Sequence, residues 1–133
     1  MAGNQACAHA GSMQKTSDIL WQDQQHQELF RILDLMAEPG SGTEVLTRLR
    51  DYTAHHFALE EAYMKALAYP ETEQHIRAHD KFREEIRSAC ESGGPHDALF
   101  MELMSTFLRE WLKRHVFGVD KRLERYLLAS AVR

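Results

Sequence analysis

Five histidines and two carboxylates recur along this chain at spacings that would let helices aim them at one point. They are His26, the pair His56 and Glu60, the pair His75 and His79, and the pair His115 and Asp120. The donors are all imidazole nitrogen or carboxylate oxygen, with no thiolate. That set suits iron, and manganese or zinc less specifically. Seven side chains are too many for one ion. Five imidazoles, two bridging carboxylates and one bridging hydroxide or oxide fill all but one of the twelve positions of two octahedral ions. A dinuclear centre with a single open position is what binding a small ligand requires. The ferritin-like di-iron pattern is a contrast, since it needs Glu-x-x-His on two helices. This chain contains no Glu-x-x-His, the nearest approach being Asp23-x-x-His26.

The elements that must position these donors are set off by breakers. Pro39-Gly40-Ser41-Gly42, Tyr69-Pro70 and Ser92-Gly93-Gly94-Pro95 divide the chain into four segments of about 20 residues, each ~30 Å long if helical. The first is expected from about Asp18 to Glu38, with Thr16, Ser17 or Asp18 as cap and Ile19, Leu29, Phe30, Leu33 and Met36 inward. The second runs from about Thr43 to Leu67, with Ser41 and Glu44 at capping-box spacing and Val45, Leu49, Tyr52, Leu59 and Tyr63 as its stripe. The third runs from about Glu71 to Glu91, with Ile76, Phe82 and Ile86 inward. The fourth starts near Asp97, with Phe100, Met104, Phe107, Leu108, Trp111 and Leu112 as its stripe. No segment alternates with period two. Short loops make neighbours antiparallel, so the expected fold is all-α, an up-down-up-down antiparallel four-helix bundle over residues 18–133, preceded by a flexible arm over 1–17.

On these stripes the candidate ligands interrupt the core faces rather than the wet ones. A lone inward histidine is ordinarily a satisfied core residue, but unpartnered buried imidazoles and carboxylates cost several kcal/mol each, and a metal pairs all seven at once. Residues at i,i+4 share a helix face, as His56/Glu60 and His75/His79 do. His115 and Asp120 stand at i,i+5, about 140° apart on an ideal helix, so a local irregularity is needed to bring Asp120 inward. Gly118 between them makes room for one. His9, His55 and His96 match no ligand position and are assigned to solvent or structure. Glu61 is read as either a surface residue or a partner to a ligand.

Composition narrows the function further. The chain has 133 residues, 44% hydrophobic, which fits one domain. No apolar run approaches the roughly 18 residues of a membrane span, and the start lacks the apolar centre of a signal peptide. A cytoplasmic protein without a membrane partner is expected. The net charge of −4 argues against nucleic acid, and Lys113, Arg114, Lys121, Arg122 and Arg125 read as a solvated face. Cys7 and Cys90 read as free thiols.

The motifs around these residues resemble the hemerythrin family, and within it the single-domain bacterial members. Asp23-Gln24-Gln25-His26 with Leu29 and Phe30 matches D-x-Q-H-x-x-L-F. His56-Phe57 with Glu60, Glu61 and Met64 matches H-F-x-x-E-E-x-x-M. Tyr69-Pro70 and His75 with His79 match Y-P and H-x-x-x-H. Trp111-Leu112 with His115 and Asp120 matches W-L-x-x-H-x-x-x-x-D. Together they cover about Trp21 to Leu128. Bacterial members carry an aromatic-rich arm, whereas Met1 to Ser17 has no aromatic.

The resemblance implies reversible dioxygen binding, for storage, delivery or buffering, at two iron ions bridged by oxide or hydroxide. It implies that His75, His79 and His115 hold one iron and His26 and His56 the other, with Glu60 and Asp120 bridging. It also implies that Leu29, Phe57, Trp111, Leu112 and Val116 wall the oxygen pocket. A non-enzymatic carrier, monomeric and with an unidentified recipient, is expected. A di-iron peroxidase or nitric-oxide-handling enzyme and an oxygen or redox sensor module are the competing readings.

Overall fold

The computed structural model describes residues 14–92 and 96–132. Among them are helices α1 (Leu20–Met36), α2 (Thr43–Ala66), α3 (Thr72–Cys90) and α4 (Ala98–Arg114), then a π-helical turn (His115–Val119) that runs into α5 (Asp120–Val132). α4, the π turn and α5 act as one long rod, so the molecule is a four-helix bundle, and no strand occurs among the described residues. α1 packs on α2 and α4, and α3 packs on the same two. The expected helix bounds hold to within about two residues, the usual uncertainty of a helix end. Residues 1–13 of the expected arm, the break at Gly93-Gly94-Pro95, His9 and Cys7 lie outside the described residues. Thr16 and Ser17 are buried against the bundle.

Turn chemistry differs from expectation at two ends. Ser41 does not form a capping box with Glu44. Its hydroxyl donates to the Met36 carbonyl at 2.6 Å and closes α1 instead, while Gly42 stands at the α2 N-cap with no side-chain bond. At the start of α1 the N-cap is Ile19, whose own side chain cannot cap. Asp97 does cap α4, accepting from the Phe100 amide at 2.9 Å. Gly40 has φ +86°, a left-handed conformation that glycine adopts without strain. After α2, Ala68 takes φ 54°, and the amides of Tyr69 and Ala68 reach back to the Met64 and Lys65 carbonyls. This is a Schellman closure with alanine where glycine is usual. It turns the Tyr69 ring against His75, with centroids 6.5 Å apart.

The core runs as one cluster of buried residues from Leu29, Phe30, Ile32 and Leu33 across Leu46, Leu49 and Phe57 to Phe82, Ile86, Met101, Leu108, Leu112 and Val116. A second, smaller one joins Met64, Tyr69, Leu123 and Leu127. The donors lie where these meet. Two stripes are rotated from those read in the sequence. In α4 the buried line is Met101, Ser105, Leu108 and Leu112, while Phe107 is 47% exposed and Phe100, Met104 and Trp111 are half-buried. In α2 the buried line is Leu46, Leu49, Thr53, His56, Phe57, Glu60 and Met64, and Tyr63 lies outside it, stacked on Trp21 at 5.1 Å. Both helices carry apolar residues over more than half their circumference, so spacing alone leaves their rotation open by one position. Cys90 is a free thiol, half-buried at the end of α3.

The rotation of α4 is testable by equilibrium denaturation. Leu108→Ala is expected to cost about 2–5 kcal/mol, as fully buried leucines do. Phe107→Ala is expected to stay within about 1 kcal/mol. A larger loss at Phe107 than at Leu108 would restore the rotation read from the sequence.

Candidate metal centre

Each rod of the bundle delivers donors to one level of the core. His26 comes from α1, His56 and Glu60 from α2, His75 and His79 from α3, His115 from the π turn and Asp120 from the first residue of α5. All seven are buried. The i,i+5 pair is brought together by the π turn itself, in which the Asp120 amide reaches the His115 carbonyl. One extra residue in the turn lets position i+5 occupy the face that i+4 holds in an α-helix. Gly118 is not required there by shape, since a Cβ on it would meet nothing within 4 Å. Its contribution is to weaken the competing α-helix, which glycine disfavours by about 1 kcal/mol.

The two carboxylates sit between the imidazoles and face both ways. Glu60 Oε1 lies 3.1 Å from His79 Nε2 and 3.6 Å from His75 Nε2, while its Oε2 lies 3.2 Å from His56 Nε2 and 3.7 Å from His26 Nε2. Asp120 repeats the pattern. Its Oδ1 is 3.0 Å from His75 Nε2 and 3.1 Å from His115 Nε2, and its Oδ2 is 3.0 Å from His26 Nε2. Two donor groups result: His75, His79 and His115 with both acids, and His26 and His56 with both acids. Within each group the candidate ligand atoms all lie within 4.8 Å of one another.

The donors fit a metal on a direct test. The Nε2 atoms of His26, His75, His79 and His115, Glu60 Oε1 and both Asp120 oxygens are buried and make no hydrogen bond among the described residues. So many orphaned polar atoms in one spot are not tolerated in an ordinary core. Their lone pairs converge where a cation would sit.

The outer ring nitrogens explain why. Thr16 Oγ1 donates to Asp23 Oδ1 at 2.8 Å, so it must accept from His26 Nδ1–H, 2.9 Å away. His56 Nδ1 donates to Gln25 Oε1 at 2.7 Å, and His79 Nδ1 donates to Glu61 Oε2 at 2.9 Å. In the neutral imidazole each bond places the proton on the outer nitrogen and leaves the Nε2 lone pair facing inward, the arrangement metal-ligating histidines use. Glu61 is therefore a partner to a candidate ligand. Burial works against its charge, but His79 and Arg83, the latter at 2.7 Å, hold its carboxyl below the usual range. The sequence reading missed Thr16 and Gln22 in such roles. Gln22 stands four residues before His26, on the same helix face, and that spacing was the available signal.

Aromatic rings close the three-histidine side. Phe57 stacks on His79 with centroids 3.7 Å apart and planes 7° off parallel, and Trp111 stacks on His115 at 4.9 Å and 14°. Leu29, Leu112 and Val116 are buried in the same core, and Trp111 is half-buried. Of the remaining histidines, His55 is exposed beside Tyr52. His96 donates from Nε2 to the Ala89 carbonyl at 3.0 Å and accepts at Nδ1 from the Thr43 hydroxyl at 2.9 Å, tying helix ends together.

Without metal the charges compensate one another. Burial alone would depress the His26 and His75 imidazoles, but Asp120 and Glu60 outweigh it and lift both to about 9. At His115 burial prevails over Asp120 and lowers the imidazole. Burial would raise Glu60, and burial together with the Glu60 charge would raise Asp120; the surrounding imidazoles hold both well below the usual range.

The Hemerythrin HHE cation binding domain model matches residues 18–127. Over 117 residues the chain is 31% identical to a bacteriohemerythrin of Campylobacter jejuni subsp. jejuni, covering 83% of this chain and 86% of that protein. A bacteriohemerythrin of Stenotrophomonas maltophilia is 30% identical over 108 residues, 74% of this chain and 68% of that one. A myohemerythrin of Riftia pachyptila is 30% identical over 98 residues, 74% and 76% of the two chains. No solved structure matches the chain.

The charge pattern makes a pH prediction for the metal-free protein. His26 and His75 are raised from 6.5 to about 9, so their contribution to stability is complete below pH 6.5 and is lost as pH climbs through about 9. Urea unfolding of the metal-free protein is expected to show stability falling across that window. Constant or rising stability there would contradict the charge assignment.

Proposed function

The chain belongs to the hemerythrin family, and we propose that its centre holds two iron ions and binds dioxygen reversibly. The observation that carries this reading is the two-sided presentation of Glu60 and Asp120. Each acid turns one oxygen to the histidine trio and the other to the histidine pair. A single ion would not need that division, whereas two ions side by side share both bridges.

In this reading His75, His79 and His115 hold one ion, His26 and His56 hold the other, and Glu60 and Asp120 bridge them. Iron bound there in the ferrous state would supply the electrons that reversible oxygen binding requires. The trio supplies one more nitrogen than the pair, so an ion on the His26/His56 side would have fewer protein donors and more room for a small ligand. The chain's own part is orientation and exclusion. Thr16, Gln25 and Glu61 keep the His26, His56 and His79 lone pairs inward, and a ligand so oriented costs no reorganisation when the ion binds. Leu29, Phe57, Trp111, Leu112 and Val116 form the wall of the oxygen pocket. An apolar wall limits water and protons, which would drive the pair to an inactive oxidised state. Storage, delivery or buffering of oxygen follows from such a site without any catalytic residue.

Anaerobic iron reconstitution followed by optical spectra decides the main point. Two irons per chain, and a band that appears with oxygen and vanishes when oxygen is removed, are expected. Irreversible conversion together with rapid consumption of peroxide or nitric oxide would favour an enzyme instead. His75→Ala is expected to lose iron and destabilise the bundle, and full retention of iron would remove His75 from the ligand set. Leu112→Ser is expected to shorten the lifetime of the oxygenated form several-fold in the same spectra, and an unchanged lifetime would show that Leu112 does not seal the pocket.

A further inference from the structure

Of the four carboxylate oxygens at the centre, Glu60 Oε1 and both Asp120 oxygens make no hydrogen bond among the described residues. Glu60 Oε2 does: Gln22 Nε2 donates to it at 2.8 Å. Gln22 is fully buried, and a buried primary amide is costly unless both ends are satisfied. Its other end is satisfied by Ser17, whose hydroxyl lies 2.7 Å from Gln22 Oε1. The direction of this relay is fixed by its start. Ser17 Oγ accepts the Ile19 amide hydrogen at 3.0 Å, which turns its own hydrogen to Gln22 Oε1. The amide oxygen is therefore pinned away from the centre, and the NH2 group must face Glu60. Ser17 is itself buried, and it is held in place by its neighbours: the Thr16 amide donates to Asp23 Oδ1 at 2.7 Å and the Asp18 amide to Glu124 Oε2 at 2.8 Å.

The oxygen that receives this bond is the one turned to His26 and His56. We propose that Gln22, aimed by Ser17, is a positioning residue that makes the two-histidine metal position electronically distinct from the three-histidine one. The inference rests on the di-iron reading above. An N–H bond draws on a lone pair of Oε2, so that oxygen donates less charge to an ion at the His26/His56 position. A poorer donor favours the lower oxidation state, and outer hydrogen bonds of this kind are a recognised control of metal potentials. The relay thus biases towards the ferrous state the position that has fewer protein donors.

The test compares the full-length protein with Gln22→Leu and Ser17→Ala, each reconstituted anaerobically with 57Fe. Gln22→Leu puts an apolar side chain of similar size in its place and removes the donor. Ser17→Ala keeps Gln22 and removes what orients it. The expected result is that one of the two iron sub-spectra in Mössbauer spectroscopy changes and the other stays as in the unaltered protein. The reduction potential is expected to fall, by roughly a tenfold shift in the ferrous-to-ferric ratio for Gln22→Leu, or 59 mV for one electron, and by less for Ser17→Ala. Two irons with both sub-spectra and the potential unchanged in Gln22→Leu would overturn the proposal and leave the di-iron reading intact. Equal change in both sub-spectra would also overturn it, because a general loosening of the core acts on both positions. If Gln22→Leu does not fold, Ser17→Ala decides by the same criteria. Failure of the unaltered protein to take up two irons would overturn the di-iron reading and this proposal together.

Discussion

Two acids buried side by side in a small helical core constrain everything else in this molecule. Glu60 and Asp120 are both shielded from water, and each one's negative charge disfavours the other's. A buried carboxylate persists only where positive charge or hydrogen-bond donors surround it. Five imidazoles do so here, and all four rods are needed to supply them. The bundle's geometry is thereby tied to its centre. Rotating any rod by one residue would withdraw a donor and leave a buried charge uncompensated. That penalty is much steeper than the cost of exchanging one leucine for another along a stripe.

The fourth rod shows what the constraint demands of the backbone. A regular helix cannot aim both His115 and Asp120 at one point, and the chain resolves the conflict with five residues of π-helix. Such turns are rare and weaker than α-helix, and they persist where the surroundings over-determine them. Here the surroundings are specific. His115 is clamped by Trp111 on one side and Asp120 is held between His26 and His75. Gly118 lowers the local preference for α-helix without being sterically needed.

The segment just ahead of α1 plays a larger part than its length suggests. Thr16 receives the His26 Nδ1 proton, and Ser17 starts the relay that ends on Glu60. Both links run to the two-histidine side. Glu124, buried on α5, accepts the Asp18 amide and ties the same segment to the fourth rod one turn beyond Asp120. Orientation of the candidate ligands on this side therefore depends on contacts between the segment ahead of α1 and α5. The three-histidine side draws on Glu61, Arg83 and the rings of Phe57 and Trp111, all within α2 to α4.

The helices, their order and the convergence of the seven candidate side chains were legible in the residues alone. Breakers and a 3.6-residue period are local properties, and donor types at i,i+4 can meet only on a shared face. The departure at His115 and Asp120 was legible too, because an ideal helix cannot join residues five apart. Other features were decided by the folded molecule. The rotation of α4 that buries Leu108 and exposes Phe107 followed from packing against α1 and α3, since both residues are apolar and adjacent. The diversion of the Ser41 hydroxyl to Met36 followed from the path of the loop. The partners of the ligands could not be read from spacing, because Thr16 reaches His26 across ten residues, Gln25 reaches His56 across 31 and Gln22 reaches Glu60 across 38. A residue's chemistry and its helical phase are written in the chain, but which polar atom a buried group meets is settled only when distant segments close around it and leave no water to take its place.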